Sequence, residues 1–162
     1  MTIQIRPAQL GDAADLYQTW QGLRQHNATI DQRIVNAPVS RDEFVEAMDS
    51  ILGRSHSATF VAEDDGRVVG FVRGVIETQQ PDRLPEQHAT IGYLFVAPEY
   101  RRLGLGRKLF SAVAEWAGQQ DGIQHFEMTV LASDAEATGF WGNLGFSPFI
   151  QRLWAPLPGN VR

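Results

Sequence analysis

Leu94-Phe95-Val96-Ala97-Pro98-Glu99-Tyr100-Arg101-Arg102-Leu103-Gly104-Leu105-Gly106-Arg107-Lys108 is the stretch whose reading decides the fold. It opens as the end of an apolar strand, stops at a proline and passes two glycines. It then enters a run with Leu105, Leu109, Val113 and Trp116 on one side of a helix expected over 103–116. Glycine lets a backbone turn tightly and approach a ligand. A helix start offers N–H groups without acceptors and the positive end of the dipole. Together they suit a phosphate or diphosphate. Arg101, Arg102, Arg107 and Lys108 crowd the same turn, and Lys108 is the only lysine in a chain of net charge −5. A local cationic cluster in an acidic protein calls for an anion. The turn is neither a Walker loop, which needs Gly-Lys-Ser/Thr, nor the three-glycine dinucleotide fingerprint.

Upstream, Ile3 to Arg6 alternates as a first strand ended by Pro7. Asp12 is a candidate N-cap for a helix carrying Ala13, Leu16, Tyr17, Trp20 and Leu23, and 27–38 reads as irregular. Ser40 and Glu43 have capping-box spacing ahead of a second helix that stops at Gly53. Two β-rich runs, 59–63 and 67–78, flank Asp65-Gly66, a strong hairpin signal. A loop over 79–86 leads to a strand over 89–96. Downstream come a strand over 126–131, a helix over 134–144 capped by Gly145, and a last strand from Phe146. The predicted order is β-α-α-β-β-β-α-β-α-β. It implies an α/β fold of the α+β type: a mixed, mostly antiparallel sheet flanked by helices, with parallel crossovers late in the chain.

The 162 residues fit a single domain spanning 1–162. With no cysteine, thiol nucleophiles, disulfides and zinc-thiolate sites are excluded. The four histidines, His26, His56, His88 and His125, show no paired metal-ligand spacing, so no metal is expected. The acidic balance argues against a general nucleic-acid binder. No apolar run is long enough to span a bilayer and the N-terminus lacks a signal-peptide core, so no membrane partner and a cytoplasmic location are expected. A Gly-x-Ser-x-Gly hydrolase elbow is absent.

Arg-x-x-Gly-x-Gly after Leu-Phe-Val-x-Pro-x-Tyr resembles the coenzyme-A loop of GNAT-superfamily acetyltransferases. Further matches follow in the family's order. They are the opening Ile5-Arg6-Pro7-Ala8 with Asp12, then Val68-Val69-Gly70-Phe71, then Asp134-x-x-Ala137 with Phe140-Trp141-x-x-Leu144-Gly145-Phe146. The resemblance covers nearly the whole chain and is weakest over 27–57 and the C-terminal tail. It implies acetyl-CoA as co-substrate, splayed central strands that admit the thioester, and a homodimer. Backbone groups of Phe95 and Val96 would pair with the pantetheine arm. The N–H groups across Arg102, Leu103, Gly104, Leu105, Gly106 and Arg107, with Arg101 beside them, would hold the pyrophosphate. Asp134 stands where relatives often have a cofactor-bonding asparagine, and equally fits an N-cap for the last helix. The resemblance implies acetyl transfer to a primary amine on a small molecule or peptide. The acceptor would enter between the first two helices and the 79–86 loop.

Transfer to an amine needs a proton acceptor, a donor to the developing oxyanion and, where the thiolate is protonated, an acid. A backbone N–H near Phe95–Val96 is the family's usual oxyanion donor. Trp141 occupies the position of a family tyrosine, and an indole N–H is no practical acid. Its remaining roles are contact with the cofactor arm or core packing. Tyr93 and Tyr100 are other phenols in reach. Thr90 and Gly92 stand where relatives carry a carboxylate, which leaves Glu127 and His88, with Glu77, as candidate proton acceptors and no single one expected to be essential. These departures also favour a second reading, a catalytically silent coenzyme-A-binding sensor or interaction module.

Overall fold

The computed structural model describes residues 2–159. Five strands, β1 (Ile3–Pro7), β2 (Ser57–Asp64), β3 (Arg67–Thr78), β4 (Gln87–Val96) and β5 (Phe126–Glu127), form one sheet in chain order. The first four are mutually antiparallel, and β5 joins β4 in parallel. Helices α1 (Ala13–Ile30) and α2 (Arg41–Leu52) cover one face. On the other face lie α3 (Leu105–Gly118) and α4 (Ala135–Asn143). The mixed, mostly antiparallel sheet expected from the sequence is present.

Two cores follow from strand alternation. Val72, Ile91, Leu105, Leu109, Val113 and Trp141 pack under α3, while Leu16, Met48, Val61, Phe71 and Phe95 pack under α1 and α2. Leu109 is fully buried, and such a side chain contributes about 1.5–3 kcal/mol. The α2 capping box forms as read: Ser40 N–H donates to Glu43 Oε2 (2.7 Å), and Glu43 N–H donates to Ser40 Oγ (3.2 Å).

Several expectations need correction. Strand β1 ends at Pro7 as read but includes it in the ladder, opposite Phe60; an edge strand tolerates the missing N–H. Asp12 stands at the N-cap of α1 without capping it. Its carboxylate instead takes the Arg6 guanidinium (2.7 and 2.8 Å), which also reaches Glu63 (2.6 Å). Helix α1 runs on to Ile30, into the stretch read as irregular. No apolar stripe marks its last turns, because polar contacts hold them. Arg24 stacks on Trp20 (4.5 Å) and donates to Ala37 O, and Asn36 Nδ2 donates to Arg24 O (2.9 Å).

The strand expected over 126–131 is only two residues long, because residues 128–131 leave β4 and line a cleft. No strand forms from Phe146 onward among the described residues. Pro148, Pro156 and Pro158 supply no ladder donors, and a two-residue β5 offers almost no edge to pair with.

Candidate functional site

Ladder pairs Ala89–Phe126 and Thr90–Glu127 are the only ones joining β4 to β5. Beyond them the two segments part. Ile91 to Val96 form one wall of the opening and Met128 to Leu131 the other, in a cleft of about 620 Å³. Strand β4 also carries an irregularity here. Arg73 pairs with Tyr93 but Gly74 pairs with Ile91, so Gly92 is the extra residue of a bulge. Bulges bend a strand and disturb its ladder, and this one sits where the strands separate.

The turn from β4 into α3 stands at the mouth of the cleft. Gly104 is the N-cap of α3 at φ +76°, a left-handed conformation that glycine adopts freely. Gly106 has a different reason. A Cβ there would lie 3.0 Å from two ring carbons of Phe140, so the glycine lets α3 meet α4 closely. Arg102 is also left-handed, at φ +63°. Lys108 N–H donates to Gly104 O (3.1 Å), so the N–H groups of Leu105, Gly106 and Arg107 have no helical acceptor. Arg101 braces the turn: its Nε donates to Val96 O (3.0 Å) and its guanidinium lies over the Phe95 ring (5.4 Å).

Just behind the closed end of the cleft the fold gathers side chains that are distant in sequence. His88 Nε2 lies 3.6 Å from Glu127 Oε2 and 3.7 Å from Glu77 Oε2. Glu127 Oε1 also meets His125 Nε2 (3.0 Å) and accepts from Gln79 Nε2 (3.1 Å), while Thr90 Oγ1 donates to Glu77 (3.0 Å). The rings of His88 and His125 stack 5.7 Å apart. The hydrogen bond from His125 holds the Glu127 carboxyl below the ordinary carboxylate range, with help from Gln79 and the charges of His88 and His125, against the opposing effect of burial. His88 is buried, and its Nδ1 has no hydrogen-bond partner.

The profile of the acetyltransferase (GNAT) family matches residues 20–146. The chain belongs to that family. An N-alpha-acetyltransferase of Sulfurisphaera tokodaii is 31% identical over 96 residues, covering 56% of this chain and 56% of the relative. The chain spans between 22% and 56% of the length of three curated relatives it matches. Among solved structures, a tetramutant of the Bacillus halodurans protein BH1408 superposes with TM-score 0.80 at 17% identity, covering 95% of this chain and 99% of that one. The structure of AAC(6')-Iy with the bisubstrate analogue CoA-S-monomethyl-acetylneamine gives TM-score 0.74 at 20% identity, covering 96% and 98%. These likenesses show the GNAT fold.

Most of the sequence-predicted cofactor residues line this GNAT cleft: Phe95, Val96, Arg101, Arg102, Gly104, Leu105, Gly106, Arg107, Asp134 and Trp141. Leu103 is half exposed and lies outside the lining. Asp134 is buried and caps α4 by accepting from Ala137 N–H (3.0 Å), and its other oxygen lies 3.5 Å from His26 Nε2. Trp141 serves the core while facing the cleft, with edge-on contacts to Phe110, Phe140 and Phe146. Glu127 and His88 do not line the cleft; they lie just behind its apex. Of the two phenols, Tyr100 donates to Asp64 (2.9 Å), and that bond raises its pKa. Tyr93 lines the cleft and donates to no partner among the described residues. Sequence reasoning missed Gln79 and His125. The alternation of β5 could have flagged His125, since it sits two residues from Glu127.

The described residues include no group of three or more His, Cys, Asp or Glu placed to hold a metal ion. None of their helices is long and apolar enough to cross a membrane.

Proposed function

We propose that the protein is a single-domain N-acetyltransferase that moves the acetyl group of acetyl-CoA directly to a primary amine of a small molecule or peptide. The observation that carries this reading is the cleft between β4 and residues 128–131, with the α3 N-terminus at its mouth. The residues present suit the co-substrate. Free N–H groups at 105–107, with Arg102 and Arg107, fit the charge of a diphosphate. The parting of β4 from its neighbour leaves backbone on that side of Phe95 for the pantetheine amides, while Val96 O is already taken by Arg101. Asp134 contributes by fixing the start of α4 rather than by donating a bond.

Acetyl-CoA, when bound, supplies the thioester carbonyl. Backbone N–H groups of β4 near Phe95–Val96 would lie against that carbonyl and stabilise negative charge developing on its oxygen. Glu127, whose carboxyl is held below the ordinary carboxylate range, and Glu77 draw the amine toward the apex. His88, poised between them, takes up the proton that the amine loses, with both carboxylates sharing the charge. Tyr93 is the better-placed phenol to protonate the departing thiolate, because the Tyr100 hydroxyl is committed to Asp64. Trp141 walls the cleft and excludes water.

The proposal extends to the setting: a cytoplasmic enzyme acting as a homodimer. Phe149, Ile150, Leu153, Trp154 and Leu157 stand exposed on the segment after α4, an apolar arm that a second copy would cover. The test of function is thiol release from acetyl-CoA with a panel of primary amines. Turnover with at least one amine supports the enzyme. Tight acetyl-CoA binding with no turnover on any acceptor supports the silent sensor instead.

A further inference from the structure

Arg73 lies in β3, opposite Thr59 of β2 and Tyr93 of β4. It shares the α1–α2 face of the sheet with Phe71, whose ring packs 6.3 Å from that of Tyr93. Tyr93 lines the cleft, so Arg73 sits one ladder step from the cleft wall. Its Nε is buried and has no hydrogen-bond partner. Among the described residues it joins no ion pair.

The other partly buried arginine of the sheet is treated differently. Arg6 is clamped between Asp12 and Glu63. A charge that acts on Arg73, from the turn just after α2, is another cation, Arg54, which is itself exposed. Burial, and then that like charge, lower the Arg73 pKa against a raising effect from Tyr93. A partly buried guanidinium with an unfilled donor and a like charge nearby is costly unless an anion completes it. Of the carboxylates on this face, Glu63 is taken by Arg6, and Glu77 and Glu127 are engaged at the apex instead.

We propose that Arg73 is an acceptor-binding residue, and that the acceptor is an amine that also carries an anionic group, a carboxylate or a phosphate. The sheet face is then bipolar. The amine lies at the Glu77–His88–Glu127 end and the anion at Arg73. The two ends are separated by the rise of the four strand residues from Arg73 to Glu77, about 13 Å. A planar guanidinium can bind either oxyanion through paired hydrogen bonds. This inference rests on the transferase reading and narrows its substrate class.

The experiment compares kcat/KM for matched amines that differ only in the anion: a carboxylate against its amide, and a phosphate ester against the free alcohol. It uses wild type, Arg73→Met and Arg73→Lys, with thermal midpoint and acetyl-CoA affinity confirming the fold. The expected result is a wild-type preference for the anionic member of about tenfold or more, carried by KM. That preference collapses toward unity in Arg73→Met and is partly kept in Arg73→Lys. The carboxylate and phosphate arms identify which anion is used. A wild-type preference for neutral or cationic amines overturns the proposal, and so does an anion preference that survives Arg73→Met. If no amine turns over, the transferase reading fails on its own. Calorimetry of the same anionic amines with the CoA-loaded protein then decides the Arg73 site: binding lost in Arg73→Met supports it, and absence of binding to wild type overturns it.

Discussion

Thr90 and Glu127 face each other as the last ladder pair between β4 and β5, and the cleft begins with the next residue on each strand, Ile91 and Met128. The fold therefore delivers a carboxylate to the apex of the opening from β5, although β4 itself has only Thr90 and Gly92 there. Glu77 arrives from β3, where it pairs with His88. The acidic character missing from one strand is supplied by its two neighbours.

The proposed mechanism spreads proton acceptance over all three groups. Single changes Glu77→Gln, His88→Ala and Glu127→Gln are each expected to lower kcat by about ten- to a hundredfold, at or below the lower end of what general base catalysis contributes. The Glu77→Gln/Glu127→Gln double variant is expected to lose more than either single one. Steady-state kinetics on the best acceptor provide the check. A thousandfold loss from any one of the three would show a single essential base.

Glu127 also sets a pH dependence of stability. Its folded pKa is lowered, chiefly by the His125 hydrogen bond. A lowered carboxyl pKa stabilises the fold above the unfolded value, and that contribution disappears as pH falls through the folded value. Wild type is expected to melt above Glu127→Gln at neutral pH. The gap should close as the pH passes below the ordinary carboxylate range. Thermal melts of both proteins across that range test this, and a gap that widens in acid contradicts it.

The two glycines of the turn separate by mechanism. Gly104→Val forces a β-branched residue into a left-handed conformation, and acetyl-CoA affinity is expected to fall about tenfold or more. Gly106→Ala presses on the Phe140 ring, and a stability loss of about 1 kcal/mol is expected. Phe140→Leu placed in the Gly106→Ala background should recover part of that loss in denaturant titrations. Failure to recover would mean that the close α3–α4 approach is not what requires glycine.

The apolar arm after α4 is expected to hold two copies together. Leu153→Asp with Trp154→Asp should convert a dimer into a monomer by light scattering while leaving acetyl-CoA affinity intact. A wild type that is monomeric at high concentration contradicts the homodimer.

The strand–glycine turn–helix unit was legible because its chemistry is local: apolar alternation, Pro98, Gly104 and a helical stripe all lie within one stretch. Capping at Ser40 and Asp134 was legible for the same reason. The end of α1 was not, because Arg24 and Asn36 hold it through contacts to a segment that sequence periodicity cannot see. The short β5 was hidden because Phe126 to Leu131 is apolar throughout most of its length, and only the parting of the strands decides where pairing stops. The apex cluster was half legible. Glu127 stood out as a charge in an apolar run, while Gln79 and His125 became relevant only once β3, β4 and β5 lay side by side.

The central claim is that main-chain amides at the start of α3 hold a diphosphate. Calorimetric titration of the protein with acetyl-CoA and with acetyl-pantetheine, which lacks the nucleotide diphosphate, tests it most directly. The account predicts binding of acetyl-CoA at least about a hundredfold tighter than acetyl-pantetheine, a difference of about 2.8 kcal/mol. Equal affinity for the two, or no affinity for acetyl-CoA, would contradict it.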